Sequence, residues 1–216
     1  MLMSLFEVYD PYTAILGLSL NWVFVFFFFF FFFGGYWCAM SIWSLTEFYL
    51  VRGLLSEFKN FFSVMKSEFG LLMFICLFVY ILFVNLLGLV PYTFACSAHF
   101  VFALSLGLPM WLGFMLLGWF NFTNSMFCHL IPVGTPMVLV SFMVIIETIS
   151  NLIRPWSLSI RLMANMISGH LLMSLLGDCG IFLIFMQLVL FSFEFFVCFI
   201  QSYVFSALLT LYSSEI

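Results

Sequence analysis

Glu147, Arg154 and Arg161 stand seven residues apart in a stretch otherwise almost free of charge. Seven residues fall only about 20° short of two full helical turns, so the three share one stripe of a helix. Asn165 and Ser168, four and seven residues past Arg161, extend that stripe. His170, nine residues past Arg161, points to roughly the opposite side. Further on, Gln187, Glu194 and Gln201 are again seven apart and form a second polar seam.

Such groups are costly in an apolar segment. An arginine at mid-helix costs about 2.5–3.5 kcal/mol on insertion scales. Each has a structural reading of its own. Glu147 and Arg154 suit an ion pair near the inner interface. Asn165 and Gln201 suit hydrogen bonds between helices. Glu194 suits a protonated packing residue and His170 a satisfied core histidine. Together, a permanent cation, a carboxylate, an imidazole and amides on two adjacent segments point to proton or ion movement. Arginine does not deprotonate in proteins, so Arg161 cannot carry a proton. It can draw in a passing carboxylate and favour its ionised form. It can also act as a fixed positive barrier. Glu194 and His170 can titrate and pass protons through water. The scheme needs a carboxylate that moves past Arg161. None is evident in this chain, which implies a partner subunit.

The elements that must hold these residues are membrane helices. Of 216 residues, 66% are hydrophobic, 22% aromatic and 6% charged. Soluble domains carry about 25% charged residues. That excludes a soluble enzyme, a disordered chain and a basic nucleic-acid binder. A polytopic, all-α membrane protein remains, in a single membrane domain over 1–216. A first transmembrane helix is expected at 14–40. Residues 45–67 carry Phe48, Val51, Leu54, Leu55, Phe58, Phe61, Phe62 and Met65 at helical spacing, with Arg52, Glu57, Lys59 and Lys66 between them. That pattern predicts an amphipathic helix on a membrane surface. It holds three of the five basic residues. The positive-inside rule therefore turns it toward the cytoplasm or a mitochondrial matrix. A helical hairpin follows at 69–119, inside a charge-free interval between Glu68 and Glu147. The link 120–136 reads as a polar connection. Two long segments fill 136–213, broken at Gly177-Asp178-Cys179-Gly180. Five spans place the N-terminus outside and the C-terminus inside.

Met137–Leu176 would be about 60 Å long as a helix, roughly twice the hydrocarbon thickness. It must be steeply tilted, broken or partly outside the membrane. No positive n-region or Arg-rich transit sequence precedes the first span, since the first basic residue is Arg52. The phenylalanine run 26–33 hints at an organellar genome. The six cysteines are scattered without a C-x-x-C pair, so neither a metal site nor a disulfide is expected.

Several strings carry a resemblance. They are Asn85-Leu-Leu-Gly-Leu-Val-Pro91, His129-Leu-Ile-Pro-Val-Gly-Thr-Pro136, Ile146-Glu-Thr-Ile-Ser150, Arg161-Leu-Met-Ala-Asn-Met-Ile-Ser-Gly-His-Leu-Leu172, and Glu194 with Gln201-Ser-Tyr-Val-Phe205. Over about residues 80–213 the chain resembles the a-subunit (ATPase subunit 6) family of mitochondrial rotary F-type ATP synthases. The resemblance implies that the last two helices lie nearly flat in the membrane, as a hairpin curved around a ring of c subunits. It implies that Arg161 faces the ring carboxylates and separates two offset half-channels. Glu194 and His170 would line the outer half-channel. Asn165 and Gln201 would sit near Arg161, with Gln201 as its hydrogen-bond partner. Glu147 and Arg154 would belong to the matrix side, and Ser168 and Gln187 would support the two seams. Implied partners are the c-ring, the peripheral stalk, other membrane-motor subunits and membrane lipid, with no nucleic acid. The implied place is the mitochondrial inner membrane. Ser174 stands where many mitochondrial relatives have a second histidine, four residues after the first, so no paired-histidine metal site is expected. The phenylalanine richness and short loops resemble kinetoplastid versions.

The competing class is a haem-binding membrane subunit of a respiratory complex. It has only His99, His129 and His170 to offer. A lipid-embedded scaffold would leave Arg161, Glu194 and His170 without a role. No phosphate-binding loop of the G-x-x-x-x-G-K-[ST] kind is present, so the chain alone should hydrolyse nothing. No cofactor is expected.

Overall fold

The computed structural model describes residues 9–12, 18–26, 42–61, 68–90, 93–121, 123–131, 136–178 and 183–214. Among them every regular element is helical. The α-helices are α1 (Ile42–Phe61), α2 (Glu68–Leu89), α3 (Phe100–Asn121), α4 (Thr123–His129), α5 (Val140–Asp178) and α6 (Ile184–Ser214). Among the described residues, α2, α3, α5 and α6 are long and apolar enough to cross a membrane. Helices suit that setting because they satisfy their backbone groups internally.

The first expected span, 14–40, lies largely outside the described residues. Its described part contains a 3-10 helix, Leu20–Phe26. This turn is tied to neighbours: the Asn21 side-chain amide donates to the Asp10 carbonyl at 3.3 Å. The Trp22 ring lies 5.7 Å from Phe94 and 5.3 Å from His99.

In α1, Val51, Leu54 and Leu55 pack on the core and Phe58 is fully buried, stacked at 6.2 Å on Tyr203 of α6. Part of the amphipathic face is thus used on protein. Arg52 lies 6.0 Å over the Phe48 ring on the exposed side. The expected continuation 62–67 lies outside the described residues.

The main core joins α1, α2, α3, α5 and α6 through Phe58, Phe74, Ile81, Ala103, Leu162 and Phe205. Pro109 inside α3 and Pro155 inside α5 each remove one backbone donor, yet neither helix ends there. α5 therefore runs unbroken for 39 residues. Its length is about 58 Å, so of the three ways to fit it a break is removed. The link after α3, expected as a polar connection, includes a short helix. This helix is α4, over which Phe127 meets Trp119 edge-on at 5.0 Å. That aromatic contact holds the short helix against the end of α3.

Candidate functional site

α5 and α6 pack along each other, and their seams meet at separate levels. Arg161 lies on the outward face of α5, exposed together with Ala164 and Ser168. Among the described residues it makes no hydrogen bond or ion pair. The Ser168 hydroxyl donates to the Asn165 carbonyl at 3.1 Å, satisfied by its own helix.

Asn165 turns toward α6 instead. Its amide donates to Gln201 Oε1 at 3.0 Å. This corrects the pairing implied for Gln201, whose side-chain oxygen meets Asn165 rather than Arg161. The physical reason is register: Asn165 is one turn beyond Arg161 and on the side facing α6, whereas Arg161 points away. Gln201 is buried, and its Nε2 has no partner among the described residues.

Two turns past Arg161, about 12 Å along the helix axis, the two helices make a close contact. Gly169 makes this approach possible. A Cβ there would stand 2.5 Å from Glu194 Oε1 and 2.6 Å from its Cδ. The Glu194 carboxylate thus rests on the bare backbone of Gly169, the residue before His170. Glu194 is only 8% exposed, and its Oε1 has no partner among the described residues. Nε2 of half-buried His170 is likewise unpaired among them. Buried polar atoms without partners are uncommon, and sites that pass protons through water are one reason for them. By contrast, the buried hydroxyls of Ser159, Ser202 and Thr210 donate to carbonyls one turn back.

The other end of the seam is different. Arg154 Nη2 approaches Glu147 Oε1 at 3.7 Å, and its guanidinium lies 5.0 Å over the Tyr212 ring. A cavity of about 490 Å³ opens here, lined in part by Trp111, Trp119, Glu147, Asn151, Arg154 and Tyr212. It is wide enough for several waters. Gln187 is half-buried near Gly177, where a Cβ would meet its Nε2 at 3.9 Å.

So α5 carries three stations: Glu147 with Arg154, then Arg161, then Gly169-His170 under Glu194. Reasoning from the sequence missed Gly169, although it adjoins His170 in the string that was singled out. Ser97 and Asn85 are also fully buried with unpartnered side-chain atoms among the described residues. Only a tertiary structure reveals that these polar groups are enclosed. His99 is boxed between Trp22 and Phe94 rings at 5.3 and 5.1 Å. That leaves the haem reading unsupported on the histidines that would have to carry it. The side chain of His129 lies outside the described residues.

A family model described as ATP synthase A chain matches residues 16–214. ATP synthase subunit a of Drosophila mauritiana is 47% identical over an alignment of 224 positions covering 100% of both chains. The proteins of the same name from Anopheles gambiae and Locusta migratoria are 46% and 45% identical, again with 100% of each chain covered. All three are insect proteins, and the kinetoplastid likeness drawn from phenylalanine content finds no support in them.

Proposed function

The chain belongs to the ATP synthase A chain family and is the proton-translocating stator subunit of that enzyme's membrane motor; from this premise we propose how its residues divide the work. The protein is membrane-embedded and acts with other ATP synthase subunits. In our reading, the moving partner is a ring of c subunits with a carboxylate on each, flanked by a peripheral stalk. The membrane is the mitochondrial inner membrane, and the whole chain forms one membrane domain. α5 and α6 lie strongly tilted, almost flat, as a hairpin along the ring.

A proton enters beside His170 and Glu194. Both groups can accept it and release it to water or to an approaching ring carboxylate. Neutralised, that carboxylate can travel through lipid at low cost. After nearly a full turn it reaches the cavity at Glu147 and Arg154 and releases its proton to the opposite side. Arg161 stands between the two stations. Its fixed charge favours the ionised carboxylate and repels a proton taking the short route. Each charge crossing 100 mV supplies about 2.3 kcal/mol, so several protons are needed per ATP.

The observation that carries this reading is the placement of Arg161. It is an outward-facing cation, with Glu194 Oε1 and His170 Nε2, both unpartnered among the described residues, on one side of it and an open, wettable ion pair on the other. Tyr9 packs at the His170 end and Tyr212 at the Arg154 end. That polarity favours an N-terminus in the intermembrane space and a C-terminus in the matrix.

The test is replacement of Arg161 in the assembled enzyme. Arg161→Ala should abolish proton-driven ATP synthesis while native gels still show the full complex. Arg161→Lys should fail as well, because an ammonium can lose its proton and lacks the planar fork. Normal synthesis by either variant would sink the assigned role.

A further inference from the structure

Tyr9 precedes the first apolar segment and takes no part in the scheme so far. We propose that Tyr9 is a positioning residue of the proton-entry station, its ring forming a wall that orients the His170 imidazole. The proposal rests on the reading of His170 and Glu194 as the entry groups.

The Tyr9 ring meets the His170 imidazole edge-on, with centroids 6.3 Å apart and planes at 81°. Its hydroxyl donates to the Ile167 carbonyl at 3.4 Å, across 158 positions of sequence. The same ring packs against a buried cluster that includes Met166 of α5, Cys198 of α6, and Leu89 and Ala95. Tyr9 therefore closes the groove between α5 and α6 at the level where Gly169 admits the Glu194 carboxylate. Burial, and then the charge of Glu194, raise its phenol above the ordinary value. The phenol thus stays neutral and serves as a wall and a donor, not as a proton carrier. His170 has no hydrogen bond of its own at Nε2 among the described residues. The Tyr9 ring contact therefore bears on its orientation. An edge-to-face contact is suited to this, because it favours one relative tilt.

The experiment uses the assembled ATP synthase in sealed membrane vesicles. ATP synthesis is followed as the entry-side pH is varied at constant total driving force. Tyr9→Leu keeps apolar bulk but loses the aromatic edge. It should need a several-fold higher entry-side proton concentration for half-maximal rate, with assembly and the rate at saturating proton concentration preserved. Tyr9→Phe keeps the ring and loses only the hydroxyl tie, so its shift should be clearly smaller. Wild-type half-saturation in Tyr9→Leu would overturn the proposal, as would equal shifts in both variants. A lowered maximal rate without a shift would also overturn it, since that marks general disruption. Glu194→Gln is measured alongside. If that variant is normal, the entry-site reading itself fails. If it is blocked while Tyr9→Leu is normal, only the role of Tyr9 falls.

Discussion

The two ends of the α5 seam use similar residue types in opposite ways. At one end, Glu147 and Arg154 are partly exposed, near each other at 3.7 Å, and backed by the Tyr212 ring. Their charges are mutually compensated and open to a cavity. At the other end, Glu194 is buried over Gly169, and Glu194 Oε1 and His170 Nε2 lack protein partners among the described residues. Compensation makes the first end cheap to keep and tolerant of change. Enclosure without compensation makes the second end expensive, and such a cost persists where a group must exchange protons. The polar residues between them sharpen the contrast. Buried hydroxyls on α5 and α6 bond to their own helix carbonyls, as Ser159 and Ser202 do. A carboxylate or imidazole cannot use that local solution, because a helix carbonyl offers no donor to an ionised carboxylate and the imidazole reaches poorly to its own turn.

Changing each end in turn tests the contrast. The largest effect should come from Glu194→Gln, which keeps the shape and removes the titrating proton. Proton-driven synthesis should fall by about a hundredfold or more, within the range that positioned acid–base groups contribute. The check is the rate of vesicle acidification-driven ATP formation, and an unchanged rate takes Glu194 off the path. Gly169→Ala should come next. The three atoms nearest the added Cβ all belong to the flexible end of Glu194. Assembly and thermal stability should therefore change little, while synthesis drops several-fold as the carboxylate is displaced. If stability collapses instead, Gly169 serves packing and the entry station loses its close approach. The smallest effect should come from Arg154→Gln. A partly exposed ion pair is worth about 0–1 kcal/mol, and the loss should stay within about fivefold in synthesis rate. A block as complete as that of Glu194→Gln would erase the distinction between the two ends.

Much of this was legible from the residues in order. The near-absence of charge between Glu68 and Glu147 marks the membrane, and the spacing of Glu147, Arg154 and Arg161 marks a helix with a polar stripe. The length of the segment after Pro136 announces a helix too long for an upright span. The polar connection expected at 120–136 did not disclose α4, whose Phe127 meets Trp119 at the end of α3. The pairing of Gln201 was legible only as a polar contact, and its partner turned out to be Asn165. Tyr9 carried no signal at all, being one aromatic in a chain that is 22% aromatic.

The division has a physical cause. Periodicity along one helix follows from 3.6 residues per turn, so the sequence alone determines which residues share a face and how far apart they stand. It also determines the solvent, because so few charges cannot coat a water-facing surface. Which faces meet depends on the crossing and register of two helices, set by many small packing contacts summed over the core. Only the tertiary structure could therefore decide that Glu194 rests on Gly169, that Asn165 takes Gln201, that Arg154 turns to Tyr212, and that Arg161 is left facing outward.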